Sequence, residues 1–174
     1  MLPLERIARW DLQICLRMNR VCYRLTWRVF FRCISTLGDG IAWYALMAVL
    51  LLYYRNGAVI PVLHMVIAGL ACTAVYKWLK ARTLRPRPYQ LHSSIRHFIA
   101  PLDRFSFPSG HTLHAVAFSL IAAGYYPGLG APLAVFSILI AASRVVLGLH
   151  YPSDVVAGAG IGALIALASQ ALAG

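Results

Sequence analysis

Three short segments of the 174-residue chain carry the side-chain types that chemistry on a phosphoryl group requires. The first is Lys80, six residues, then Arg87-Pro88; the second is Pro108-Ser109-Gly110-His111; the third is Ser143-Arg144, five residues, His150, three residues, then Asp154. Lys80, Arg87 and Arg144 are fixed cations, and guanidinium forks hold phosphate oxygens two at a time as an ammonium cannot. Ser109 and Gly110 fall where an apolar helix begins, so backbone N–H groups and the positive helix end favour an anion there. Gly110 also lets the backbone approach closely. The set forms a cradle for three phosphoryl oxygens and for the charge of a pentacoordinate transition state.

Two histidines then have separable roles. Asp154 follows His150 by four residues, with Pro152 suited to a first helical turn, so the carboxylate reaches back to one imidazole nitrogen and leaves the other free to attack. His111, one turn inside its helix, protonates the leaving oxygen and later activates water. These residues imply hydrolysis of a phosphate ester or anhydride through a phosphohistidine. A metal site fits poorly: Asp103 and Asp154 are the carboxylates near the motifs, and the excess of cations repels a divalent ion. No metal and no other cofactor is expected. His92 and His97 read as substrate-loop residues, and His114 as packing one turn below His111.

The elements that position these groups belong in a membrane. Hydrophobic residues make up 60% of the chain and charged ones only 12%, with a mean hydropathy of +0.71, which excludes an ordinary soluble domain. Five apolar spans are expected, at about 36–54, 58–79, 109–126, 131–149 and 154–172, each long enough to cross. Small residues recur in the last, at Ala157-Gly158-Ala159-Gly160 and Gly162-Ala163, as helices packed closely in lipid require. His64, towards one end of the second span, reads as a helix contact. Counting crossings brings all three motif segments to one membrane face. The fold class is therefore all-α, a polytopic transmembrane helical bundle in a single domain over 1–174.

Two segments lie outside the spans. Residues from about Glu5 to Cys33 place seven arginines on one side of a helical wheel, opposite Trp10, Ile14, Leu16, Val21, Leu25 and Phe30, so 1–35 reads as a basic amphipathic helix on the membrane surface. Burying those arginines in a sixth span would cost about 2.5 to 3.5 kcal/mol each at the bilayer centre. They also leave no apolar core for a cleavable signal peptide. Gly38-Asp39-Gly40 is expected to end that helix. Residues 77–107 form a loop too long to be a plain connection, and thus an active-site loop. The net charge of +11 makes the bilayer and an anionic lipid the natural partners, with nucleic acid not expected. Four cysteines without metal-ligand spacing read as small buried hydrophobes, and oligomeric state is left open.

In spacing, the three segments resemble the type 2 phosphatidic acid phosphatase superfamily, whose pattern K-x6-RP, PSGH and SR-x5-H-x3-D is matched from Lys80 to Asp154 without a departure. The resemblance implies a metal-independent lipid phosphatase or phosphotransferase with His150 as nucleophile, Asp154 as its partner and His111 as general acid. Lys80, Arg87, Ser109, Gly110 and Arg144 are its implied phosphate ligands. Small size and short loops look similar to bacterial undecaprenyl pyrophosphate and phosphatidylglycerophosphate phosphatases, which implies the bacterial inner membrane. Transfer of the phosphoryl group to a second lipid such as lipid A, and plain lipid binding without catalysis, are the alternatives. Likeness to bacterial relatives puts the active face in the periplasm, whereas the count of positive residues points to the cytoplasm.

Overall fold

The computed structural model describes residues 3–173. They form eight α-helices joined by turns: α1 (Pro3–Asn19), α2 (Leu25–Thr36), α3 (Ala42–Tyr54), α4 (Val59–Thr83), the short α5 (Pro88–Leu91), α6 (Gly110–Tyr125), α7 (Gly130–Val146) and α8 (Pro152–Ala173). Helices α3, α4, α6, α7 and α8 stand where the five spans were expected, and the chain is a polytopic transmembrane bundle. Helix is the form that satisfies every backbone group within one segment when no water is present. Large apolar side chains accordingly face outward, among them Leu52, Ile60, Leu70, Ile138 and Leu164. Among the described residues three stretches are long and apolar enough to cross a membrane, Leu25–Leu91, Pro127–Val146 and Pro152–Ala173, the first containing α2 to α4.

The 16-residue α6 is the axis of the bundle, enclosed by α4, α7 and α8. Its Leu113, Ala115, Ala117, Ile121 and Ala122 are fully buried. In lipid, helices associate through close packing rather than through a hydrophobic drive, so small residues mark the seam. The small residues of α8 serve in this way: a Cβ on Gly158 would stand 2.6 Å from the Ser109 carbonyl oxygen, and one on Gly162 would strike the Leu113 backbone. This seam fixes the start of α6, where the second motif lies, against the start of α8, where Asp154 lies. A second core, of Trp43, Met47, Met65, Phe118 and Ile140, ties α3 and α4 to α6 and α7.

The N-terminal region departs from the expected single helix. A turn at Arg20–Tyr23 splits it into α1 and α2, and Arg24 is extended. The cause is polar anchoring that the arginine pattern hides. The Asn19 side chain donates to the carbonyls of Arg96 (2.8 Å) and Val146 (3.0 Å) and accepts the Arg96 N–H (3.0 Å). Asp11 and Cys15 are buried on the same face of α1, which lies against α7 and α8, while Ile7 and Trp10 are left exposed. Gly38-Asp39-Gly40 does not end a helix either. It forms a widened π-turn over Leu37–Ile41, with Gly40 at φ 130°, through which α2 continues into α3.

The expected 77–107 loop also starts later than its hydropathy suggests. Helix α4 runs on to Thr83, so Lys80 sits on a helix and is positioned by it. Three of the cysteines, Cys15, Cys22 and Cys72, are buried as expected, and Cys33 is exposed. His64 bonds the Tyr125 hydroxyl at 3.1 Å, a contact between α4 and α6.

Candidate active site

At the end of the bundle where α4, α6 and α7 meet their loops, a cleft of about 290 Å³ is lined by Lys80, Arg87, Gly110, His111, Arg144 and His150. Lys80, on the last turns of α4, is 6% exposed. Arg87 precedes Pro88, whose fixed φ suits the first position of α5, and its backbone N–H is taken by the Gln90 side chain at 2.8 Å. Arg144 closes α7 and bonds Ser35 of α2. Burial of such cations is costly unless each finds an anion or carbonyl, and those partners define the site.

The anion at this site is the protein's own. Both carboxylate oxygens of Asp103 lie 2.7 Å from Lys80 Nζ, and Arg87 Nη2 holds one of them at 2.9 Å. Lys80 also donates to the Phe105 carbonyl (3.0 Å) and Arg87 Nη1 to that of Leu149 (2.8 Å). Burial pushes the Asp103 carboxyl up, but its bonds to Lys80 and Arg87 more than offset this and hold it below the usual carboxylate range. The pair therefore binds two oxygens of an oxyanion in the geometry a phosphoryl group would use.

His150 stands directly beside this anion seat. It is 1% exposed, and Arg87 Nη1 lies 3.3 Å from its Nε2. A guanidinium only donates, so Nε2 presents its lone pair and the proton resides on Nδ1. Nδ1 faces Asp154 Oδ2 at 3.6 Å, beyond hydrogen-bond length, and has no bonding partner among the described residues. Burial, and then the cations Arg87, Arg144 and Lys80, hold His150 well below the ordinary histidine value. It is thus neutral with its Nε2 lone pair unprotonated, the state a nucleophile needs, and directed at Arg87 Nη1.

The carboxylate of Asp154, expected to reach the imidazole of His150, is bonded to other groups. Its Oδ2 accepts the Tyr151 N–H at 2.9 Å, and its Oδ1 accepts Arg85 Nη1 at 2.6 Å. Arg85 reaches on to Asp11 of α1 at 2.8 Å, and Asp11 in turn accepts the Ser153 N–H at 2.9 Å. His111, at the start of α6, is paired through Nε2 with the carboxylate of Asp39. Ser109 corrects an expectation: its N–H is committed to the Asp154 carbonyl at 3.0 Å and its hydroxyl to Thr112 at 3.0 Å. It fastens α6 to α8 instead of facing the cleft, and Gly110 and His111 are the part of that helix end that does.

Sequence reasoning missed Asp39, Arg85 and Asp11, and took Asp103 only as a poor metal ligand. Asp39 was hidden between two glycines, and Arg85 within the six variable residues of the first motif. A carboxylate set in an otherwise apolar span is a signal that was present. His114, expected as packing, lines the cleft and contacts Thr73 and the Gly69 carbonyl, both at 3.2 Å. His97 stacks on Tyr89 with ring centres 4.3 Å apart, away from the cleft.

Comparison with known proteins agrees with this arrangement. The undecaprenyl-diphosphatase BcrC of Bacillus subtilis is 34% identical over 94 residues, which are 54% of this chain and 48% of that protein. A lipid A 1-phosphatase of Rhizobium johnstonii is 35% identical over 109 residues, 58% of this chain and 45% of that protein. The chain spans about half the length of the curated relatives it matches. The crystal structure of Aquifex aeolicus LpxE superposes with a TM-score of 0.80 at 27% identity, covering 92% of this chain and 94% of that one. That of a transmembrane PAP2 type phosphatidylglycerolphosphate phosphatase from Bacillus subtilis, at 22% identity and a TM-score of 0.78, covers 97% of this chain and 86% of that one and shares the fold. A family model described as the PAP2 superfamily matches residues 57–173. Because that match takes in every element lining the cleft except α3 and the turn before it, the chain belongs to the PAP2 superfamily.

Proposed function

We propose that the chain is a metal-independent phosphatase that hydrolyses the phosphomonoester or pyrophosphate of a membrane lipid, undecaprenyl pyrophosphate first among them, through a phosphohistidine. The observation that carries this reading is the seat at Lys80 and Arg87, which holds a carboxylate directly beside the neutral His150. A substrate phosphoryl group takes the seat from Asp103 and meets Nε2 of His150. The Nε2 lone pair then forms the N–P bond as the P–O bond to the lipid breaks, and His111 gives the leaving oxygen a proton. Water next attacks phosphorus, His111 recovers a proton, and the P–N bond breaks to release phosphate. Lys80, Arg87 and Arg144 supply the charge that a metal supplies elsewhere.

The rest of the cleft supports a lipid as the substrate. Beyond the cations it is lined by Tyr44, Met47, Val66, Leu70 and Phe118 from α3, α4 and α6, a wall for hydrocarbon rather than for a sugar or nucleotide. We place the active face on the periplasmic side of a bacterial inner membrane, counting its arginines as ligands and not as topology signals. A reporter fusion in the Arg55-Asn56-Gly57 turn, active on the cytoplasmic side only, tests that placement. The likeness to a lipid A 1-phosphatase over 58% of the chain favours lipid A phosphate as the second substrate.

The deciding measurement is phosphate release by purified protein in detergent with EDTA. The panel is undecaprenyl pyrophosphate, phosphatidylglycerophosphate, phosphatidic acid and lipid A. Turnover that survives the chelator and vanishes in His150→Ala is expected. No turnover of any lipid, or turnover that needs added metal, would sink the proposal.

A further inference from the structure

The turn between α2 and α3 is a distortion that membrane packing does not require. A helix crossing an apolar environment loses backbone bonds at a π-turn, and such turns recur at functional sites. Here Gly38 lies against Ile140, where a Cβ would stand 3.1 Å from that side chain. Gly40 takes φ 130°, a conformation that side-chain-bearing residues rarely adopt. Between them the chain sets a carboxylate into an apolar span, itself expensive. All three costs are explained together by the contact they produce, Asp39 on His111 Nε2.

One turn earlier on the same helix, Ser35 bonds Arg144. The α2–α3 segment thus braces two members of the cleft from behind, although neither Ser35 nor Asp39 belongs to a motif segment. The Asp39 contact has a chemical consequence. A carboxylate only accepts, so Nε2 of His111 carries a proton, and Nδ1 is the nitrogen left for the substrate's leaving oxygen. Arg144 of α7 and His114 of α6 lie close enough to oppose positive charge on His111. The carboxylate of Asp39 opposes them and favours a proton on the ring.

We propose that Asp39 is a positioning residue for the proton donor. It orients His111 and stabilises its protonated form, so that Nδ1–H passes to the leaving oxygen as the P–O bond breaks. The inference rests on the phosphatase reading above, with His111 as general acid.

Leaving-group dependence separates this role from a structural one. An alkoxide must be protonated as it departs, whereas a nitrophenolate leaves without help. Asp39→Asn should lower kcat on dioctanoyl phosphatidic acid by about 10²-fold, the ordinary value of a positioned acid, yet leave 4-nitrophenyl phosphate within a few-fold. Asp39→Glu, which keeps the charge, should recover part of the loss. In a His111→Gln background Asp39→Asn should cost nothing more, since the two act as one unit. Equal losses on both substrates, no loss on either, or additive losses in the double variant would overturn the inference while leaving the phosphatase intact. If Asp39→Asn does not fold, loss of selectivity for the alkyl ester in Asp39→Glu decides the same question. Wild-type protein without phosphatase activity would end both readings, and His150→Ala, inactive on both substrates, marks the difference.

Discussion

Two of the histidines that line the cleft, His150 and His111, face a carboxylate, and the two pairs are built in opposite ways. His150 and Asp154 are four residues apart in one motif, yet their closest approach is 3.6 Å, and Arg85 holds the other oxygen of Asp154 at 2.6 Å. His111 and Asp39 are 72 residues apart, share no motif, and touch directly. The difference matches what the proposed mechanism asks of each ring. An attacking nitrogen must be unprotonated, and a carboxylate in full contact would stabilise the imidazolium that blocks attack. A proton donor has the reverse need. Sharing Asp154 with Arg85 leaves that residue able to orient His150 without holding a second proton on the ring.

The largest effects should come from removing the rings themselves. His150→Ala removes the atom that bonds phosphorus in the proposed mechanism, and phosphate release should fall by more than about 10⁴-fold. His111→Ala removes proton transfer alone and should cost about 10²- to 10³-fold on an alkyl ester. Rapid-quench capture of acid-labile radiolabel on the protein tests the division: His111→Ala should still be labelled, and His150→Ala should not.

The pH profile sharpens the contrast. Burial and the cations Arg87, Arg144 and Lys80 hold His150 well below its ordinary value of 6.5, so kcat/KM should stay flat through that pH and fall only in more acid solution. Arg87→Gln removes one of those cations and should move the acid limb up toward 6.5, whatever it does to the plateau. Stability follows the same sign. The unfolded chain protonates His150 below 6.5 while the folded chain resists, so the contribution of this residue is full above 6.5 and is lost as pH falls toward the folded value. Thermal melts of His150→Gln should lack that part of the acid slope.

How much of this was legible in the sequence follows from where each partner lies. The apolar helices and the three motif segments are local, carried by runs of apolar residues and by spacings within one stretch, and they were readable. Convergence on one face followed from counting crossings. Asp39 was not readable as a partner, because a Gly-Asp-Gly triplet reads locally as a breaker and only the packing of Gly38 on Ile140 turns it into a bulge aimed at His111. The break at Arg20–Tyr23 was hidden for a similar reason. Seven arginines dominate the helical wheel, whereas Asp11 and Asn19, which dock the helix, are single residues whose partners lie 74 and more positions away. Ser109 was placed correctly at its helix start, but the tight α6–α8 seam diverts its N–H to the Asp154 carbonyl.

Asp103 bears on both pairs, since it holds the seat that a phosphoryl group takes in the proposed mechanism. Asp103→Asn keeps the shape and removes the charge that competes for Lys80 and Arg87. Vanadate or inorganic phosphate should then inhibit at about tenfold lower concentration, in the range of one charge-assisted bond. Unchanged inhibition would mean that the carboxylate swings away without cost when an oxyanion arrives.

The smallest expected effect belongs to the coupling between the N-terminal helix and the nucleophile. Asp11 holds one amino group of Arg85, and Asp154 holds the other. With Asp11→Asn the guanidinium loses one of its two anions and is drawn wholly onto Asp154, which weakens the hold of that carboxylate on the His150 ring. A loss of about threefold in kcat with KM unchanged is expected, the scale of a part-exposed ion pair. His111 has no link to this network, so the loss should be the same for alkyl and nitrophenyl esters, opposite to the pattern expected for Asp39→Asn. A change in KM instead would place the role of Asp11 in holding α1 over the cleft mouth, and not in the charge balance behind His150.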